Sequence, residues 1–231
     1  DPNVLEGIVF VESAGRPDVI AGPDPAAAAG LTQILAQTGQ SLLGMHIDLA
    51  QSRRLTAAID GAYAAGNLGE MRRLQARRAR IDDRFVPSKA LAATVRYLEL
   101  AAGRLGGRSD LATVSYHMGI GNLQQVLSDY DDGHAVPYAQ LFFDTAPDRH
   151  AAAYRLLSGF GDDSWLYYWR VLGAEQIMQL YREDRPAVMR LNALQNATAS
   201  GSEVLHPPDQ APSLSDPDAL SAAYAARSLL P

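Results

Sequence analysis

A chain of 231 residues, 47% hydrophobic and 20% charged, has the length and composition to bury a sizeable core as one large domain or two small ones. Its formal net charge of −6, from 20 basic and 26 acidic residues, disfavours nucleic acid as a partner, because phosphate backbones reward net basic surfaces. The lack of cysteine excludes a disulfide framework, a thiolate nucleophile and a cysteine-based zinc site, and no apolar run reaches the ~18 residues of a membrane span.

Helical patterns run through most of the chain. "PNVLEGIVFVES" at 2–13 carries Val4, Leu5, Ile8, Val9 and Val11 near helical spacing, with Asp1 or Asn3 as the cap. "GRPDVIAGPDPAAAAG" at 15–30 reads as a Gly/Pro-rich loop. "GLTQILAQTGQSLLG" at 30–44 is a second helical pattern. Residues 46–60 and 67–81 form a helical pair split by "AAGN" at 64–67, and the second member carries Arg72, Arg73, Arg77, Arg78 and Arg80. "VPSKALAATVRYLELAAGRLG" opens on Pro87 and Ser88 and closes on Gly106–Gly107. Two short helical pieces follow around Gly119–Gly121, then helix over 138–158 and 164–196. From Ala197 the composition turns to Ser, Pro, Asp and Gly. A linker or extended tail is expected over 197–231, with a short helix near 216–229, as a lead into a further domain outside this chain or as the end of this one. No alternating pattern lasts long enough for a sheet, and no internal repeat is visible. The chain starts at Asp1 without a Met, so any signal segment is expected to lie outside it.

The chemical candidates are few. His46, His117, His134, His150 and His206 form no HxxxH or HExxH pair, which argues against a metal site. No GxSxG elbow and no P-loop occurs. Carboxylates remain, and Glu12 stands in the least expected setting, directly after Val9, Phe10 and Val11.

Three blocks in order now bear on Glu12: "ES" at 12–13, "AAGLTQILAQTG" at 28–39 and "VSYHMGIGN" at 114–122. Together they resemble the signature blocks of the soluble lytic transglycosylase domain family. Gly30, Leu31, Gln33, Ile34 and Thr38 match its second block; Tyr116, Gly119, Gly121 and Asn122 match its third. "DDRFVPSKALAATVRYL" at 82–98 resembles the segment leading into the family's central helix. "SWLYYWRVLGA" at 164–174 resembles its closing block, with Tyr167 as the matching tyrosine. Thr32 and Leu35 stand where the family has methionines, His117 where it has Asn, Asp24 where a small hydroxyl residue is usual, and Trp165 where it has Arg.

The resemblance implies an all-α, lysozyme-like domain over 1–196, with an inserted helical pair at about 45–80. It implies peptidoglycan strands as substrate, a monomer, a location outside the cytoplasm, and no cofactor or metal. The activity it implies is cleavage of the bond between N-acetylmuramic acid and N-acetylglucosamine, closing a 1,6-anhydro ring. Glu12 would be the acid and then the base. Two other readings stay open: a hydrolytic muramidase of the same fold, and a non-catalytic glycan-binding domain.

Physical chemistry supports a single special carboxyl. An ordinary Glu is ionised at neutral pH, whereas a leaving glycosidic oxygen needs a proton. Burial beside Val9, Val11 and cleft aromatics would disfavour the charged form. Asp18 and Asp24 would serve as a second carboxylate only if the loop at 14–29 folds back. Ser13 is expected to cap the helix end or to position Glu12. Gln33 is either a sugar contact or a solvated helix residue. Tyr116 and Tyr167 are either hydrogen-bond partners of Glu12 or core. His117 is structural or a rim contact, and Asn122 contacts sugar or caps the following helix. The arginines at 72–80 form a solvated helix face or meet the carboxylates of peptide stems.

Overall fold

The computed structural model describes residues 1–161 and 163–197. The chain divides into two compact units, residues 1–174 and Glu175 onward. The described residues form eleven α-helices and two 3-10 turns, with no strand beyond isolated bridges, so the fold is all-α. The expected tail from 198 and its helix near 216–229 lie outside the described residues. No helix among the described residues is long and apolar enough to cross a membrane.

The first unit opens with α1, Pro2–Ser13. The Asp1 side chain accepts from the Asn3 amide at 2.9 Å, and Pro2 takes the first position, where a missing N–H costs nothing. Ala14, with φ 50°, ends the helix in the left-handed region, its N–H returning to the Phe10 carbonyl. Glu12 therefore sits in the last turn. Ile8 is fully buried with Tyr167 and Val171, and Val4 and Val11 pack against them.

The segment at 30–35 departs from the expected helix. Ala29 and Ile34 exchange backbone hydrogen bonds at 3.2 and 3.1 Å, and Gln33 has φ 51°. Helix α2 begins only at Ala36 and runs to Ser41. The cause lies elsewhere in the chain. Gly30 has φ 80°, and a Cβ there would lie 2.0 Å from the Arg84 carbonyl oxygen, so the backbone is pressed against the 82–85 turn in a conformation only glycine adopts freely.

The inserted pair is α3, Leu49–Ala64, and α4, Leu68–Arg78, which pack on each other. Asp48 and Asn67 cap them, accepting from the amides of Gln51 and Glu70. A 3-10 turn, Asp83–Phe85, follows. The expected solvated arginine face is incorrect at Arg78. That residue is buried, its guanidinium 3.7 Å from the Phe85 ring centre and its Nη1 donating to Thr56 Oγ1.

Helix α5, Pro87–Arg104, starts at the expected proline and stops before the glycine pair. It packs against α6, Ser109–Met118, which Gly119 (φ 88°) separates from α7, Ile120–Asp131. Leu111, Val114, Leu123 and Val126 from α6 and α7 are completely buried in the main core. The helix expected over 138–158 is broken into α8, Tyr138–Asp144, and α9, Ala151–Gly159. Pro147 disfavours helix in the residue before it, and an Ala146–Arg149 bridge closes the turn. A second 3-10 turn, Ser164–Leu166, leads into α10, Tyr167–Glu183. In the second unit, α11 spans Arg185–Ala197, and the Asp184 carboxylate accepts from the Ala187 amide near its start.

Candidate active site

Four segments meet around Glu12: the end of α1, the 30–34 turn, the end of α6 and the start of α10. The central contact is short. The Tyr167 hydroxyl donates to Glu12 Oε1 at 2.6 Å, across 155 residues of sequence. Tyr167 is 0% exposed and shares its cluster with Ile8 and Val171. Burial, then the neighbouring carboxylate, pushes its phenol well above the usual range, so Tyr167 remains a hydrogen donor. Glu12 Oε2 makes no hydrogen bond among the described residues.

The Glu12 carboxyl is raised above its ordinary value because burial disfavours the ion. The Tyr167 hydrogen bond opposes this, as do the charges of His117 and Arg170, but the loss of solvation prevails. None of these three groups is a carboxylate. The candidate second acids are engaged elsewhere: Asp24 pairs with Arg53 at 2.9 Å, and Asp18 Oδ2 accepts from Gln75.

The remaining predicted residues divide into those that build this site and those that do not. The Ser13 hydroxyl, 2% exposed, donates to the Leu31 carbonyl at 2.7 Å, with the Val9 carbonyl also within 3.2 Å. It braces the end of α1 against the 30–34 turn. Tyr116 does not bond Glu12. Its hydroxyl donates to the Thr32 carbonyl at 2.7 Å and lies 3.2 Å from Thr94 Oγ1, because α6 places it over the turn. Burial raises its phenol as well. Its ring stacks on Tyr167 at 6.4 Å and meets Tyr97 edge-on at 5.2 Å.

Exposed His117 lies against Tyr167, ring centres 5.1 Å apart, with Nδ1 2.8 Å from Ser164 Oγ. Gln33 is in the turn and not in a helix; its amide nitrogen donates to the Gly30 and Val19 carbonyls. Asn122 does not cap the following helix. Its Nδ2 donates back to the Met118 carbonyl at 2.8 Å, since Gly119 breaks the chain there and leaves that carbonyl without a helical partner.

Sequence reasoning missed the supports. Asp82 and Arg84, both 0% exposed, form a two-pronged pair, with Arg84 Nε and Nη2 donating at 3.0 and 2.7 Å. Arg84 Nη1 also donates to the Ala27 and Ile34 carbonyls, flanking the site turn on both sides. Ser52 on α3 donates to Asp82 Oδ2 at 2.8 Å. The inserted pair is thereby connected to the turn that holds Ser13 and Tyr116. An arginine two residues after an aspartate, directly before an apolar helix start, is a faint signal of such a pair. Thr94 and Ser164 carry no sequence signal of their own. No three His, Asp or Glu residues converge as metal ligands among the described residues.

The arrangement presents one partly buried carboxyl, fixed on one oxygen by a phenol and without a hydrogen bond on the other among the described residues. That is a donor and acceptor of single protons. Comparison with protein-family models, with curated proteins and with solved structures finds no match to this chain.

Proposed function

We propose that this chain is a lytic transglycosylase with a lysozyme-like domain, acting on peptidoglycan outside the cytoplasm. The observation that supports this most is the raised, phenol-anchored Glu12 carboxyl with no second carboxylate bearing on it among the described residues. Burial keeps the proton on Glu12 at a pH where an exposed glutamate has lost it. In the proposed reaction Oε2 delivers that proton to the glycosidic oxygen as the C1–O bond of N-acetylmuramic acid breaks. Glu12, now a carboxylate, takes the proton of the sugar's own 6-hydroxyl as that oxygen bonds to C1. The products are a free N-acetylglucosamine hydroxyl and a 1,6-anhydro end, and Glu12 is protonated again. Water is neither consumed nor released.

Tyr167 holds the carboxyl in one orientation through both steps, and it accommodates the transient carboxylate by donating to it. His117, the one predicted contact that is both exposed and against Tyr167, stands where a sugar ring would enter. A hydrolytic muramidase would use the same acid but would normally pair it with a base for water.

The test is digestion of purified peptidoglycan, read by mass spectrometry. Anhydro-ended muropeptides, lighter by one water than hydrolytic products, are expected from the wild type. Glu12→Gln should lower their release by roughly 10³-fold or more, within the span of general acid–base catalysis. Hydrolytic products would assign the muramidase reaction instead. Binding with no products from the wild type would leave a glycan-binding domain.

A further inference from the structure

Tyr167 and Val171, one turn apart on α10, share a buried cluster with Ile8 of α1, so this face of α10 is the one turned toward α1. Arg170 stands at the border of that face, three residues from Tyr167 and so its neighbour on the helix surface. Side chains on a helix lean toward its amino end, which here is the end where Tyr167 bonds Glu12. The charge of Arg170 accordingly acts on both Glu12 and Tyr167. Unlike buried Tyr167, Arg170 is exposed, and it makes no hydrogen bond or ion pair among the described residues.

The fold thus gains no polar contact from this guanidinium, and its charge works against the proton that burial keeps on Glu12. Three groups act in that direction: Tyr167 and Arg170 from α10, and His117 from α6. Glu12 in turn acts on Tyr116 of α6. The turns at 30–34 and 164–166 carry no titratable side chain. An anion set against Arg170 would cancel one of the three opposing influences. A guanidinium matches the two oxygens of a carboxylate. On the proposed substrate only the muramic acid unit carries carboxylates, on its lactyl ether where no peptide is attached and on the peptide stem where one is.

We propose that Arg170 is a substrate-binding residue that takes a carboxylate of the muramic acid unit beside Glu12. This rests on the reading of Glu12 as the glycan acid. Pairing neutralises the cation, so Glu12 holds its proton more firmly with substrate bound than without. A glycan lacking carboxylates leaves the cation in place.

The experiment is titration of the full isotope-labelled chain with three disaccharides, followed by NMR. They are N-acetylglucosaminyl-N-acetylmuramic acid with a free lactyl group, the same sugar bearing an alanyl-glutamate stem, and chitobiose. None contains the bond cleaved in the proposed reaction, so no turnover is needed. At least one charged sugar should bind about tenfold or more tightly than chitobiose, equivalent to roughly 1.4 kcal/mol, and shift the Arg170 Nε–H signal. Arg170→Gln should remove that advantage at unchanged melting temperature, and whichever sugar loses more identifies the carboxylate as lactyl or stem. The Glu12 carboxyl carbon should titrate at higher pH in Arg170→Gln than in the wild type. In the wild type it should titrate at higher pH with the charged sugar than without it. The inference is overturned if the charged sugars bind no more tightly than chitobiose, or not at all. It is also overturned if Arg170→Gln binds them as well as the wild type does, or if the Glu12 titration responds to neither change. Any of these results alongside anhydro products from the wild type would remove this inference alone. Binding at Arg170 without anhydro products would remove the reaction and keep the carboxylate site.

Discussion

Glu12 and Asp82 are both carboxylates withdrawn from water, and the protein treats them in opposite ways. Asp82 has a full set of partners: Arg84 by two nitrogens, the Arg84 amide, and Ser52. Glu12 has one phenol on one oxygen and more distant cations. A carboxylate whose acceptor sites are filled and whose charge is matched is structural. A carboxyl with too few partners for its burial is held near the point where gaining or losing a proton is easy. The contrast between the two shows that partner count, and not burial alone, separates a scaffold acid from a reactive one.

The largest expected effect is on the structural side. Asp82→Ala leaves Arg84 buried without its counter-charge and should cost about 3–5 kcal/mol in denaturant unfolding. A loss below about 1 kcal/mol, typical of a surface pair, would break the comparison. Gly30→Ala should come next. The left-handed φ alone costs about 1–3 kcal/mol, and the clash with the Arg84 carbonyl adds to it. Because the same turn receives Ser13 and Tyr116, any glycan cleavage should fall with stability; full activity in a destabilised variant would uncouple turn from site.

Tyr167→Phe should cost about 1 kcal/mol of stability and give a clearer signature in pH. The hydroxyl lowers the Glu12 pKa, so its removal raises that pKa further. The alkaline limb of the activity profile should then move to higher pH; movement to lower pH would show that the hydroxyl favours the protonated carboxyl and not the ion.

The smallest effect is the pH dependence of folding. Glu12 has a folded pKa above its unfolded one, so its contribution is fully present below the unfolded value, near 4.3. It is lost as pH rises through the folded value. Melting curves of wild type against Glu12→Gln should therefore diverge with rising pH, the variant gaining. Divergence of the opposite sign would mean that Glu12 is stabilised as the ion.

Much of the fold was legible because its signals are local. Asp1 and Pro87 start their helices where the local pattern places them, and a reader of the chain finds them without knowing the tertiary structure. The 30–34 turn was not legible. "GLTQIL" has an acceptable helical pattern, and what overrides it is the Arg84 guanidinium and carbonyl, some fifty residues later. Arg78 misled for the same reason: a polar run on α4 reads as solvated until Phe85 and Thr56 close over one member of it. The contact of Tyr167 with Glu12 has no periodic signature at all; only the order of the sequence blocks pointed to it. Pro147 was visible and should have divided the 138–158 helix.

The position of Glu12 in the last turn of α1 has one more consequence. A helix gathers partial negative charge at its carboxyl end, and α1 has no basic residue in its last turn; Arg16, just beyond it, donates through Nε to the Ser13 carbonyl at 3.0 Å and offsets only part of that charge. An ionised Glu12 faces that field, while a neutral one does not. The helix dipole thus acts in the same direction as the apolar surroundings, and the same glutamate placed at the amino end of a helix would be pushed toward the charged form. Introducing an arginine beside it on α1 would weaken the acid without touching any group that bonds to it.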